Sequence, residues 1–340
     1  MKDITISRRS LLVSAGLLAL APLAGCGGNS GSGSAAAGSD YTIGVLQLTE
    51  HSALDAANDG FVKAIKESGL KVKIDQKNAQ NDQSTCKSIA DKFVGDGVDL
   101  IYAIATPAAQ AAAVFVADCL KATPAAAGAT ADIPIVGCAI TDYAASGLVQ
   151  DNDKPGTNVT GASDLTPVAE QLEMMQKVLP DVKKVGLLYC TAESNSDVQI
   201  KAAKKELDKL GLQYTDFTVS SSNEIQSVVE SAVGKVDALY SPTDNTIAAG
   251  ASQVGQICKE NKLPFVTGEE GMCKAGGLFT LSINYEDLGY AAGEMAVKIL
   301  KGEAKPEDMP IKHLSSKDLV VVKNDEMAEA LGIDLSALDE

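Results

Sequence analysis

From Tyr41 onward the chain alternates short β-branched and apolar runs with longer stretches whose apolar positions recur at helical spacing. The runs that predict strands are Tyr41–Gln47, Val72–Gln76, Val98–Ile104, Ile133–Ala139, Lys184–Cys190, Val236–Ser241, Pro264–Thr267 and Leu278–Ile283. Between them, Gly60–Ser68, Ser84–Val94, Pro167–Leu179, Asp197–Leu210 and Asn245–Asn261 carry the helical period, with Val168, Leu172, Met175 and Leu179 on one stripe. Strands that read as continuous apolar runs and are separated by helices predict parallel sheets covered on both faces.

The pattern also repeats. Val98-Asp-Leu-Ile-Tyr102 returns as Val236-Asp-Ala-Leu-Tyr240, and Ile133-Pro-Ile-Val136 returns as Leu263-Pro-Phe-Val266. The spacing is 36 residues in the first copy (Val98 to Pro134) and 28 in the second (Val236 to Pro264), and the Ala/Gly/Pro-rich stretch Ala122–Ala129 accounts for the difference of eight as a surface insertion. Two similar α/β lobes, one from each half, are the simplest account. Ligands of open parallel sheets bind outside the carboxyl ends of the strands. The residues to inspect are therefore Leu48–Ser52, Ala105–Pro107, Thr141–Tyr143, Thr191–Asn195, Pro242–Asn245 and Gly268–Gly271.

The segment before Tyr41 has a different pattern. An apolar run of about 15 residues follows Arg8-Arg9 and ends in Leu23-Ala24-Gly25-Cys26. Shorter than the roughly 20 residues that span a bilayer, it reads as a secretory signal over residues 1–25, and its last four residues resemble a bacterial lipobox. That resemblance implies cleavage before Cys26 and acylation of its thiol. It places the protein on the outer face of the cytoplasmic membrane, held by a lipid anchor. Residues 26–40, almost wholly Gly, Ser and Ala, have the composition of a flexible tether. Ser7-Arg8-Arg9-Ser10-Leu11-Leu12 also resembles a twin-arginine export signal, and both export routes stay open.

Composition then narrows the function classes. The net charge is −16, and a leader with a net +2 (Lys2, Asp3, Arg8, Arg9) leaves −18 on removal. Without a basic cluster, nucleic acid is not an expected partner. The two histidines, His51 and His313, do not form a metal-ligand spacing, so no metal and no cofactor are expected. Beyond Cys26, six cysteines remain: Cys86, Cys119, Cys138, Cys190, Cys258 and Cys273. Their number permits disulfides outside the cytoplasm, and Cys258 with Cys273 is the short-range pair to consider first. Phosphate-binding glycine motifs are missing. The nearest approach to a nucleophile elbow, Gly161-Ala162-Ser163-Asp164-Leu165, has leucine in place of the second glycine. Catalysis is not expected.

The strand ends carry the chemistry that is left. Thr106-Pro107 reads as an N-cap with proline at the first helical position, whose free N–H groups suit a carboxylate. Glu50, Asp142, Asp244, Glu269 and Glu270 fall on the other strand-end loops, and carboxylates in a cleft suit an ammonium group. Together they fit a zwitterion, that is, an amino acid.

Several of these segments, in order, resemble the ABC-transporter substrate-binding lipoproteins of the TrpX type. They are Glu50-His51-Ser52-Ala53-Leu54-Asp55, Asn78-Ala79-Gln80, Ala103-Ile104-Ala105-Thr106-Pro107, Asn158-Val159-Thr160-Gly161-Ala162-Ser163-Asp164, Pro242-Thr243-Asp244-Asn245 and Ile283-Asn284-Tyr285-Glu286-Asp287-Leu288-Gly289-Tyr290. The likeness covers about residues 41–330. It implies a type I periplasmic-binding fold, an α/β architecture of two doubly wound parallel-sheet lobes with a hinge. One lobe would take residues 41–160 plus 285–310, the other 161–284 plus 311–340, with Asp287–Leu300 as the returning helix.

The resemblance further implies a monomer that captures an amino acid, tryptophan or tyrosine being the usual ones, and passes it to ABC permease and ATPase subunits. On that basis Thr106 would hold the ligand carboxylate and Asp142 would help line the cleft. Asn195, Thr243, Asp244 and Asn245 would meet the ligand from the second lobe, Glu269 would lie near its ammonium, and Glu50 and His51 would sit over its side chain. Tyr102, Tyr143, Tyr189, Tyr240 and Tyr285 are the candidate aromatic walls, although Tyr102 and Tyr240 lie mid-strand. Ser52 stands where the family usually has proline, Tyr143 where proline is common, Cys190 at a usually polar position, and Glu269-Glu270 where Asp-Glu is commoner. These departures leave open another ligand of the same fold, such as a branched amino acid or a nucleoside, and a sensor subunit instead of a transport one.

Overall fold

The computed structural model describes residues 40–119 and 133–339. The signal segment, Cys26, the tether and the Ala122–Ala129 stretch lie outside the described residues.

The first lobe runs β1 (Tyr41–Gln47), α1 (Ser52–Glu67), β2 (Val72–Asn78), α2 (Gln83–Asp96), β3 (Leu100–Ile104), α3 (Thr106–Cys119), β4 (Ile135–Ile140) and β5 (Val159–Ser163). The strands pair in parallel in the order β2-β1-β3-β4-β5. Every residue of β3 is buried, as a strand covered on both faces requires. Phe61 of α1 stacks on Tyr102 of β3 with ring centroids 3.7 Å apart, and the Tyr102 hydroxyl donates to the Ala57 carbonyl at 3.1 Å. Burial of each such ring contributes about 1.5–3 kcal/mol.

The chain crosses to the second lobe after Ser163 and forms α4 (Val168–Val178), β6 (Lys184–Cys190), α5 (Ser194–Leu210), β7 (Gln213–Val219), α6 (Ile225–Ala232), β8 (Ala238–Ser241), α7 (Asn245–Ala249), α8 (Ala251–Glu260), β9 (Phe265–Thr267), α9 (Glu270–Ala275) and β10 (Phe279–Ile283). Its parallel sheet has the order β7-β6-β8-β9. The two halves of the sequence repeat occupy equivalent places: Tyr240 of β8, like Tyr102 of β3, is fully buried, and its hydroxyl donates to Gln171 Oε1 at 2.7 Å.

The chain then returns. Asn284 caps α10 (Tyr285–Leu300) by accepting from the Asp287 N–H, and α10 packs on α1 in the first lobe. The contact is close because of two glycines. A Cβ at Gly289 would stand 1.9 Å from the Ala57 carbonyl oxygen, and one at Gly60 would stand 1.9 Å from that of Glu286. β11 (Lys312–His313) extends the first sheet beside β5. A last crossing leads to β12 (Leu319–Lys323), antiparallel to β10, and to α11 (Asp325–Leu331). By sheet membership the crossings fall after Ser163, at Asn284 and after His313.

Two expectations change. The helix expected over Asn245–Asn261 is two helices, broken at Gly250. Cys258 and Cys273 are free buried thiols, as are Cys86, Cys138 and Cys190, so the pair considered first is not a disulfide. Cys258 is packed into an apolar cluster of the second lobe, while the Cys273 thiol donates to the Val322 carbonyl. Burial pushes both thiols up to about 12, which leaves them without thiolate character.

Candidate functional site

The carboxyl ends of both sheets face one another across a narrow cavity. It is tight, with room for about one water molecule. His51, Leu54, Ala139 and Thr141 line it from the first lobe, and Asn195, Thr243, Asp244, Asn245, Ala248 and Glu269 from the second. Asp164 and Tyr285, which follow two of the crossings, complete it. The cavity therefore sits on the hinge. A second hollow, lined by Ser52, Glu270, Gly271 and Lys274 among others, shares Glu269 and Tyr285 with it and opens toward solvent.

Hydrogen bonds join the two lobes around this cavity. His51 Nε2 lies 3.4 Å from Asn245 Oδ1, Asn81 Nδ2 donates to Thr246 Oγ1 at 3.1 Å, and Gln199 Nε2 donates to Thr141 Oγ1 at 3.3 Å. Gln110 Nε2 reaches Ser194 Oγ at 3.3 Å. The lobes stand closed.

Backbone strain concentrates at the same edge of the first lobe. Ala105 (φ +85°) follows β3, Ala139 (φ +55°) sits at the end of β4, and Gln80 and Asn81 (φ +53° and +59°) follow β2. Non-glycine residues adopt this conformation at a cost and cluster at functional sites. Ala139 also marks the irregularity in the pairing of β4 with β5.

Of the nine ligand contacts expected from sequence, the structure brings His51, Asn195, Thr243, Asp244, Asn245 and Glu269 to the cavity wall. Glu50 instead lines a surface hollow with Gln47, Asp55 and Asn58. Asp142 accepts from the Ala145 N–H and from Asn152 Nδ2, both at 3.0 Å. Thr106 opens α3 outside the lining, buried, with its hydroxyl unpartnered. Among the tyrosines, Tyr285 lines the cavity, Tyr102 and Tyr240 are core residues, and Tyr143 is buried with its hydroxyl on the Ala162 carbonyl at 3.1 Å. Tyr189 is half-buried and away from the lining.

The carboxylates differ in what their oxygens already hold. Asp244 caps α7, accepting from the Ile247 N–H at 2.9 Å, and also from the Cys190 N–H at 2.6 Å and Ser196 Oγ at 2.7 Å. Burial, then the neighbouring Glu193 carboxylate, pushes its pKa well above the ordinary carboxylate range. Glu269 caps α9 through the N–H groups of Gly271 and Met272, both at 2.5 Å, and burial pushes it up to about 7. Each acid therefore fixes the start of its own helix, and Asp244 also holds the end of β6 and Ser196 of α5.

Asp164 is different, and the sequence reading gave it no role. Thr141 Oγ1 donates to its Oδ1 at 3.3 Å and the Tyr285 hydroxyl to its Oδ2 at 3.0 Å. Each oxygen keeps a lone pair free. Buried among neutral donors, Asp164 is pushed up to about 6, the two hydroxyls opposing the shift without cancelling it. Among the described residues lining the cavity there is no Lys or Arg, and the sequence has no arginine after Arg9. His51 supplies no lasting positive charge either: burial holds its imidazole below its usual value, against the pull of Asn245, Glu193 and Asp55. Its Nδ1 is buried and unpartnered, as is Asn195 Oδ1. A cavity with uncompensated acid and open acceptors is matched by a small molecule that brings a cation and hydrogen-bond donors.

The comparisons agree with this arrangement. Residues 42–337 match the model of a family described as ABC transporter substrate binding protein. A tyrosine-binding protein of Clostridioides difficile is 38% identical over 96% of this chain and 93% of its own length. An ABC domain from Streptococcus pneumonia, solved with L-Trp, is 39% identical, with a TM-score of 0.81 over 89% of this chain and 98% of that one. The ligand-free, open structure of a substrate binding protein with adhesive properties from Clostridium difficile is 44% identical, yet its TM-score is 0.63 over 86% and 95% of the two chains. The greater sequence likeness with the lesser structural overlap is what a difference in lobe closure produces. Two sheets joined at a hinge, a closed cavity at their facing edges and a match over nearly the whole described chain lead to one assignment: the protein belongs to the ABC transporter substrate-binding protein family.

Proposed function

We propose that the protein captures an aromatic amino acid, tyrosine or tryptophan, between its lobes outside the cytoplasm and delivers it to an ABC importer. The observation that carries this reading is the buried Asp164 carboxylate, held by two neutral hydroxyls and facing a cavity without a lining lysine or arginine. The ligand's ammonium supplies the missing charge. Leu54, Ala139, Ala248 and the Tyr285 ring give its side chain apolar surroundings, and the open acceptors His51 Nδ1 and Asn195 Oδ1 suit a phenol or indole donor. With no basic side chain in the lining, the ligand carboxylate meets neutral donors. Thr243 Oγ1 accepts from Gln199, which leaves its own proton available. The names of the tyrosine-binding and L-Trp-bound relatives support this ligand class.

Contacts from both lobes favour the closed form when ligand is present, and closure signals occupancy to the permease. In this reading Cys26 is lipidated, residues 26–40 tether a monomer to the membrane, and permease and ATPase subunits complete the importer. Native mass spectrometry of the protein as purified tests the ligand class: a bound mass of tyrosine or tryptophan is expected. A thermal-shift response to nucleosides or sugars, with none to the aromatic amino acids, would refute it.

A further inference from the structure

Glu193 has no place in the ligand contacts above, yet it is buried and more densely bonded than any of them. Its Oε1 accepts from the Thr246 N–H and the Thr246 hydroxyl, both at 2.8 Å. Its Oε2 accepts from the Asn245 N–H at 3.1 Å, Asn245 Nδ2 at 2.6 Å and Asn195 Nδ2 at 3.1 Å. Although it precedes α5, its side chain does not cap that helix. It reaches instead to the start of α7, whose first two residues are those that touch the first lobe.

A carboxylate only accepts hydrogen bonds. Facing one, the Thr246 hydroxyl must point its proton at Glu193, which leaves its lone pairs for Asn81 Nδ2 across the cleft. The Asn245 amide must likewise turn its NH₂ to Glu193, which leaves Oδ1 for His51 Nε2. That acceptor in turn places the proton of the neutral imidazole on Nε2 and keeps Nδ1 bare toward the cavity.

We infer that Glu193 is a positioning residue that makes Asn245 and Thr246 at the start of α7 the acceptors, and His51 and Asn81 of the first lobe the donors, in the two contacts these residues share across the closed cleft. It rests on the capture reading above for its effect on ligand release, and not for its effect on closure. Replacing it with Gln keeps its size but sets an NH₂ against Thr246 or Asn245, whose donors then have no acceptor.

The test is a double-mutant cycle across the cleft, Glu193→Gln with Asn81→Gly, read in the rate of tyrosine release by stopped flow. Asn81 has φ +59°, so glycine removes its amide without adding strain. The inference predicts release at least tenfold faster for Glu193→Gln and severalfold faster for Asn81→Gly. The double variant should match Glu193→Gln alone, because the Asn81 bond is already lost. A Thr246→Ser variant, which keeps the hydroxyl relay, should release at the wild-type rate, unlike Thr246→Val. Unchanged release in Glu193→Gln, or effects of the two variants that multiply, would overturn the inference. If the wild type binds neither tyrosine nor tryptophan, the proposed function has failed instead. The same cycle is then read in the closed fraction of the ligand-free protein by X-ray scattering, where non-additivity supports the inference and additivity overturns it.

Discussion

Replacing Asp164 with Asn keeps the shape of the site and removes its charge, so the substitution separates binding from folding. The carboxyl is displaced from 3.8 to about 6 by burial, so keeping it ionised at pH 7.5 costs the ligand-free fold on the order of 3 kcal/mol. The sign follows from a raised carboxylate value: the cost is absent below the unfolded value near 4 and is fully present above 6. An amide does not carry that cost. It can still accept from Thr141 or Tyr285, although its NH₂ faces the other hydroxyl, which offsets part of the gain. The ligand-free variant should therefore melt at or above the wild-type temperature at pH 7.5. Binding should move the other way. Losing one member of a buried charge pair costs about 2–5 kcal/mol, a loss of roughly 30-fold or more in affinity. Calorimetry with tyrosine, on protein stripped of ligand by unfolding and refolding, measures the second effect, and scanning calorimetry the first. Affinity within about threefold of wild type, in a folded variant, would refute the role given to Asp164.

The remaining predictions follow from the same geometry. Tyrosine affinity should rise about tenfold from pH 5 to pH 7, because Asp164 must release a proton to meet the ammonium and titrates near 6; calorimetry across that range, showing a flat profile, would contradict it. A Cβ at Gly271 of the second lobe would stand 2.1 Å from Ser52 Oγ of the first. Gly271→Val should therefore prop the cleft open, enlarge the radius of gyration of the loaded protein and weaken binding at least tenfold, with recovery when Ser52→Gly is added. Alkylation of the unfolded, unreduced protein should modify Cys86, Cys138, Cys190, Cys258 and Cys273, all free thiols, and a reductant should leave its melting temperature unchanged; peptide mapping that shows Cys258 joined to Cys273 would contradict this.

The sequence made the fold easy to read where a strand is apolar on both faces. β1 and β6 run over the residues their patterns predict, and the Val98 and Val236 repeat falls on equivalent strands of the two lobes. The strands that escaped have other physics. β7 alternates polar and apolar residues at a sheet edge, β12 exposes Val320 and Val321, and β5 is Val-Thr-Gly-Ala-Ser, with little hydrophobic signal of its own. The omission of β5 also hid the site. Asp164 lies just beyond its carboxyl end, and a strand with no hydrophobic signature leaves its end unmarked in the sequence. Asp244 and Glu269 were visible as acids at strand ends, but no pattern distinguishes a carboxylate that faces a ligand from one occupied by N–H groups of its own helix. Glu193 lies in the strand-end loop Thr191–Asn195. Its importance depends on partners some 50 residues away, at Asn245 and Thr246, which only the fold brings to it.

The most direct measurement is a crystal structure of the protein saturated with tyrosine. The account predicts one molecule between the lobes, its ammonium nitrogen about 2.8 Å from an Asp164 oxygen and its ring beside His51 and Tyr285. A ligand bound outside that cavity, or one whose carboxylate lies against Asp164, would contradict it.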